Sequence, residues 1–117
     1  MKFILPLALL LLSSTYGNSF TVSNTLPNDL SAASSVFSKS VEVFGLRVLA
    51  TSSVSDAKVL HTANVLAEYL DNDENGSVDQ TEVLAKLLGS SNSEIATMVL
   101  FASENEQESY GNDFETL

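Results

Sequence analysis

The stretch EYLDNDENGSVDQTEVL, residues 68–84, places five carboxylates and one glycine in the twelve residues from Asp71 to Glu82. Carboxylates crowded in this way repel one another unless a cation lies between them. Apolar residues at helical spacing precede the stretch and follow it. We therefore expect a loop between two helices that gathers its acidic side chains around a bound cation.

The spacing of the oxygen-bearing side chains points to one kind of cation site. Counted from Asp71, they fall at positions 1, 3, 5, 9 and 12, with a glycine at position 6 and a valine at position 8. A calcium ion takes six to eight oxygen ligands at about 2.3–2.6 Å, so alternate side chains have to turn inward around a tightly wound loop. The stretch resembles the calcium loop of the EF-hand superfamily, and the resemblance covers residues 56–89.

This resemblance implies a set of calcium ligands and a role for each. The aspartates and the asparagine would bind through side-chain oxygens, the serine would offer its main-chain carbonyl, and Glu82 would bind with both oxygens. Gly76 would allow the sharp bend, and Val78 would form a short strand contact that steadies the loop. The implied metal ligands are Asp71, Asp73, Asn75, Ser77, Asp79 and Glu82.

Two helices are predicted to flank the loop. The first begins after an N-cap at Ser55 or Asp56, and its apolar residues recur at three- and four-residue steps as far as Leu70. The second covers residues 81–88 and ends at Gly89, because glycine is typical of helix C-termini. Together they form the helix–loop–helix order of an EF-hand.

Two short strands are predicted to flank the helices. Residues 41–50, VEVFGLRVLA, alternate β-branched and aromatic residues onto one face, which favours a half-buried strand over a helix continued from Asp29. Residues 95–102, IATMVLFA, are apolar throughout and short, which favours a fully buried strand. The predicted fold class is α+β, with a parallel strand pair joined through the two helices, and an all-α fold is the alternative.

The remaining segments are predicted to lie outside the core domain. Residues 1–17 have the basic start, apolar stretch and small polar end of a secretory signal peptide, and the apolar stretch is too short for a membrane-spanning helix. Residues 18–35 are rich in Ser, Thr and Asn and predict a flexible leader that runs into a short helix. The EF-hand-containing domain covers residues 36–103, and residues 104–117 predict a solvated acidic tail.

The composition limits the classes of partner and activity. The 117-residue chain carries a net charge of −10, which disfavours binding to nucleic acid or to an anionic membrane surface. It has no cysteine, so a bound metal is one of the few remaining ways to stabilise a small secreted domain. Its single histidine, His61, lies in the first predicted helix without a neighbouring ligand or nucleophile, so we expect no enzyme activity.

These observations predict a secreted, extracellular protein that binds one calcium ion, whose role is mainly structural. One alternative is a calcium-dependent interaction module that forms a homodimer through its unpaired EF-hand or binds an unidentified protein partner. Another is that the chain is the N-terminal portion of a larger secreted protein or enzyme. Residues 58–76, KVLHTANVLAEYLDNDENG, are similar to the EF-hand region of some larger secreted proteins, which motivates this second alternative.

Overall fold

Helices and one small sheet make up the protein. The computed structural model describes residues 20–91 and 94–111, so the predicted signal peptide, residues 1–17, lies outside the described part. The combination of one sheet with several helices confirms the predicted α+β class. In chain order the elements are a 3₁₀ helix at Asn28–Ser35, β1 at Lys39–Val43, β2 at Leu46–Ala50, α1 at Asp56–Leu70, α2 at Thr81–Leu88, β3 at Thr97–Leu100 and α3 at Glu104–Ser109.

The single strand predicted over residues 41–50 is instead a hairpin of β1 and β2. Phe44 and Gly45 form its turn with φ angles of 51° and 90°, and positive φ at both central residues matches the twist of two adjacent strands. Phenylalanine rarely adopts such a conformation, so the sequence pattern ran across the turn without a visible break. The described residues therefore contain three strands rather than the two that were predicted.

The central strand of the sheet is β2. It pairs antiparallel with β1, where Val41 lies opposite Val48, and parallel with β3, where Val48 lies beside Met98. A parallel pair needs a long crossover connection, and here α1, the acidic loop and α2 supply it. The predicted order of strand, two helices and strand thus produces the parallel pair that was expected.

Hydrophobic clusters lie on both faces of the sheet. Side chains alternate along β2, so that Val48 and Ala50 join a larger cluster with the buried side of α1, whereas Leu49 joins a smaller one. The smaller cluster contains Phe37 and residues of the 3₁₀ helix. In β3 only Met98 is buried, so this predicted strand is present but less buried than expected.

Part of the predicted leader packs against the sheet. Ser23 and Ser40 exchange two main-chain hydrogen bonds of 2.8 and 2.9 Å, which add one isolated pair to the outer edge of β1. Such pairing is available because an edge strand offers free N–H and C=O groups. The predicted short helix of this segment is a 3₁₀ helix, and Ala33 within it is buried. Residues 20–35 therefore contribute to the core.

Helix α3 opens the segment that was predicted to be a solvated tail. The Glu106 carboxylate accepts a hydrogen bond from the Thr51 hydroxyl at 2.7 Å and another from the Ala102 N–H at 2.8 Å. The Tyr110 ring lies 6.4 Å from the Phe101 ring, measured between centroids. These contacts hold the segment against the rest of the fold as far as residue 111, and a prediction from charge alone missed them.

Candidate metal centre

Helix α1 positions the start of the acidic loop. At its N-terminus the Ser55 side chain accepts the Lys58 N–H, as expected for an N-cap. At its C-terminus the Asp71 N–H donates to the Ala67 carbonyl at 2.8 Å. Because one side of α1 is packed in the protein interior, the first loop residue has a defined place. The buried residues of α1 are Val59, Thr62, Ala63, Val65, Leu66, Ala67 and Leu70.

Asp71 is completely buried, with 0% of its surface exposed. Its Oδ1 accepts the Asn75 N–H at 3.2 Å, and its Oδ2 accepts the Gly76 N–H at 2.7 Å. Burying a carboxylate is costly unless hydrogen-bond donors surround it, and here the main chain of the loop supplies them. The loop residues Glu74 and Gly76 have positive φ angles of 56° and 90°, which allow the chain to wind around this side chain.

Three carboxylates converge in the loop. Asp71, Asp73 and Asp79 each offer an oxygen, and these oxygens all lie within 4.8 Å of one another. The hydrogen bond between the Asp71 and Asp73 side chains, followed by burial and the negative charges of Asp79 and Asp71, raises the pKa of Asp73 above its ordinary value. The arrangement therefore concentrates negative charge that a cation would relieve.

The other three predicted ligands are placed differently. Asn75 belongs to the same network, because its Nδ2 donates to Asp73 Oδ2 at 3.1 Å and its Oδ1 accepts the Ser77 N–H at 2.8 Å. Ser77 is exposed. Glu82 lies in the first turn of α2, is exposed, and does not belong to the group of three converging carboxylates.

The end of α1 also holds the second half of the loop, a contact that sequence reasoning missed. The Leu70 carbonyl accepts the N–H groups of Asp79 and Gln80 at 2.8 and 3.1 Å. Val78, between the glycine and α2, packs against the larger hydrophobic cluster and lies in no strand of the described residues, so the short strand contact implied by the resemblance is not formed there. Main-chain contacts of this kind leave no signal in side-chain spacing.

The donor set fits a hard divalent cation. Its groups are carboxylate and amide oxygens, which calcium and magnesium prefer, and the described residues bring no histidine or cysteine into the cluster. Magnesium demands tight octahedral geometry, whereas calcium accepts irregular shells of six to eight oxygens from a winding loop. Asp71, Asp73 and Asp79 are the residues that could hold such a cation, and Asn75 lies in the same hydrogen-bond network.

Three comparisons with known proteins gave no assignment for this chain. Comparison with protein-family models, with curated proteins and with solved structures returned no match. Among residues 20–91 and 94–111, no helix combines the length and the apolar composition needed to cross a membrane.

Proposed function

We propose that this protein is a secreted calcium-binding protein with one EF-hand-type loop and that its ion is mainly structural. One observation carries the proposal. Oxygens of the Asp71, Asp73 and Asp79 carboxylates lie within 4.8 Å of one another in the loop between two helices, and Asp71 is buried. Three carboxylates at this separation repel one another strongly, so the arrangement gains stability from a divalent cation.

The position of the loop in the fold supports a structural role for the ion. The loop lies in the crossover between β2 and β3. In α2, the helix after the loop, the Leu87 carbonyl accepts the N–H of Ala96, the residue before β3, at 2.7 Å. A cation that orders the loop would therefore limit the separation of α1 and α2 and favour the docking of β3. A small domain without disulfides benefits from such a link.

Isothermal titration with calcium and with magnesium tests this proposal. We expect one calcium site and weaker magnesium binding, because the loop offers an irregular oxygen shell. Asp73→Asn removes one converging charge and should weaken calcium binding, whereas Glu108→Gln on α3 removes a charge outside the loop and should not. Equal affinity for the two ions, or equal loss in both variants, would contradict the proposal.

Exposed apolar side chains favour a second function, a calcium-dependent interaction module. Tyr69 near the end of α1 is 54% exposed, and Val83 in the first turn of α2 is 49% exposed. Both flank the loop, so a partner that contacts them would bind next to the calcium site. The molecular mass in solution with calcium and with chelator separates the two functions, since a dimer formed only in calcium supports the second.

A further inference from the structure

A cleft that contains no residue of the acidic loop lies between the segment around Ser23 and the first two strands. Ser40 and Glu42 of β1 and Arg47 of β2 line it, together with the turn that leads into the 3₁₀ helix. These strand residues alternate with residues of the larger cluster, so the cleft opens on the face of the sheet that α1 leaves uncovered. Its volume of about 400 Å³ lies in the range of small-molecule sites.

The charged side chains that line the cleft are Glu42 and Arg47, and Arg47 is paired with Asp29, which lies outside the lining. Arg47 is only 7% exposed, and its two terminal nitrogens donate to the Asp29 oxygens at 3.1 and 2.8 Å, so its charge is matched. Glu42 lies directly opposite Arg47 in the register of β1 and β2 and is exposed. Within residues 20–91 and 94–111, the ion pairs involve other residues than Glu42. Because Asp29 already matches the charge of Arg47, the Glu42 carboxylate is the negative charge in excess among these three groups.

Hydroxyl-bearing and apolar residues line the same cleft as this carboxylate. The Ser40 hydroxyl donates to the Thr25 carbonyl at 2.7 Å, which leaves its oxygen lone pairs as acceptors. The Ser23 hydroxyl oxygen lies 3.0 Å from that of Thr25. Leu26 and Pro27 add apolar surface to the same cleft. The cleft thus combines hydrogen-bond acceptors, one unmatched carboxylate and an apolar wall.

We propose that this cleft binds a primary ammonium group on an alkyl stem, the chemistry shared by a lysine side chain and a free alkyl amine. An ammonium group has three N–H donors and no acceptor, which suits the Glu42 carboxylate and the hydroxyl oxygens. Its methylene groups pack against Leu26 and Pro27, as the stems of amphipathic side chains do elsewhere. Anionic ligands are disfavoured, because Asp29 already holds the Arg47 guanidinium and the chain has a net charge of −10.

Amide shifts in heteronuclear NMR spectra of the purified protein test the proposal. The probes are cadaverine, a capped tripeptide with a central lysine, and pentanediol as a neutral analogue of cadaverine, all added in the presence of a metal chelator. We expect saturable shifts of Ser23, Ser40 and Glu42 with the two amines and none with pentanediol. Tighter binding of the peptide identifies a protein lysine as the source of the ammonium group, and tighter binding of cadaverine identifies a free amine.

Two charge variants complete the experiment. Glu42→Gln keeps the size of an exposed side chain and should weaken amine binding about tenfold, the usual effect of losing a charge-assisted hydrogen bond. Glu108→Gln lies outside the cleft and should bind the amines as the wild type does. Pentanediol shifts equal to those of cadaverine, undiminished binding in Glu42→Gln, or no saturable shift with either amine would overturn the proposal. Since no cleft residue belongs to the acidic loop, failure here leaves the calcium proposal untouched.

Discussion

Gly76 donates its main-chain N–H to the buried carboxylate of Asp71 at 2.7 Å, from a backbone whose φ angle is 90°. The two residues thereby link the bend of the loop to its buried anchor. An L-residue with a side chain is strained at this φ, and the strain is largest for a β-branched residue. The shape of the loop therefore depends on a glycine that contributes no side-chain ligand.

Gly76→Val should weaken calcium binding by about tenfold or more, because a strained backbone costs about 1–3 kcal/mol. Calorimetric titration of the variant measures the loss. Gly111→Val is the matched control, since a Cβ at Gly111 meets no atom within 4 Å, and it should bind calcium as the wild type does. An unchanged affinity in Gly76→Val would mean that calcium binds without this loop conformation.

Calcium should raise the thermal midpoint of the wild type, because it binds the folded loop and relieves the repulsion among the carboxylates. With a dissociation constant on the order of 10⁻⁴ M and calcium near 1 mM, the gain is roughly 1.4 kcal/mol, or a rise of about 5–10 °C. Thermal melts in chelator and in calcium measure it.

Glu82→Gln should lose most of that calcium-dependent rise, because it removes one charge and the two-oxygen closure that the resemblance assigns to Glu82. In chelator its midpoint should stay the same or increase slightly, since one repulsive charge is gone. Glu108→Gln, outside the loop, should respond to calcium as the wild type does. A Glu82→Gln variant that responds fully would remove this residue from the ligand set.

Glu106→Gln should destabilise the protein by about 1 kcal/mol at neutral pH, after allowance for the partial exposure of the carboxylate. Hydrogen bonds from the Ala102 N–H and from the hydroxyls of Thr51 and Ser53 lower the pKa of Glu106 below 4.5. A lowered pKa in the folded state stabilises the protein above about pH 4.5, and this contribution is lost as the pH falls through the folded pKa.

Denaturation of wild type and Glu106→Gln at a series of pH values measures that difference. The gap in stability between them should close in acid, whereas Glu108→Gln should stay close to the wild type throughout. A gap that persists below the folded pKa would show that the carboxylate charge is not what holds α3.

Gly45→Ala should destabilise the hairpin by about 1 kcal/mol or more, because the φ angle of 90° strains any residue with a Cβ. The added Cβ would also lie 3.0 Å from Leu88 Cδ2, so the Leu88 side chain would have to shift slightly. The urea midpoint measures the effect, with Gly111→Ala as the control. Equal midpoints for the two variants would show that the turn tolerates an ordinary residue.

Much of the helix–loop–helix could be predicted, because its determinants are local. The apolar spacing before Asp71 and after it predicted helices whose observed bounds are Asp56–Leu70 and Thr81–Leu88. The predicted ligands lie within twelve residues, so a single winding of the chain brings Asp71, Asp73 and Asp79 together. The burial of Asp71 was not predictable, because it depends on how α1 packs against the sheet.

The sequence by itself therefore determined the two helices, the acidic loop between them and the strand order that makes β2 and β3 parallel, since periodicity and short spacings act within a few turns of chain. Only the tertiary structure decided that residues 41–50 fold back at Phe44 and Gly45, that Ser23 pairs with Ser40, and that Glu106 reaches Thr51. Each of these outcomes depends on partners far apart in the chain or on a rare backbone conformation. The pattern of neighbouring residues predicts neither of these two causes.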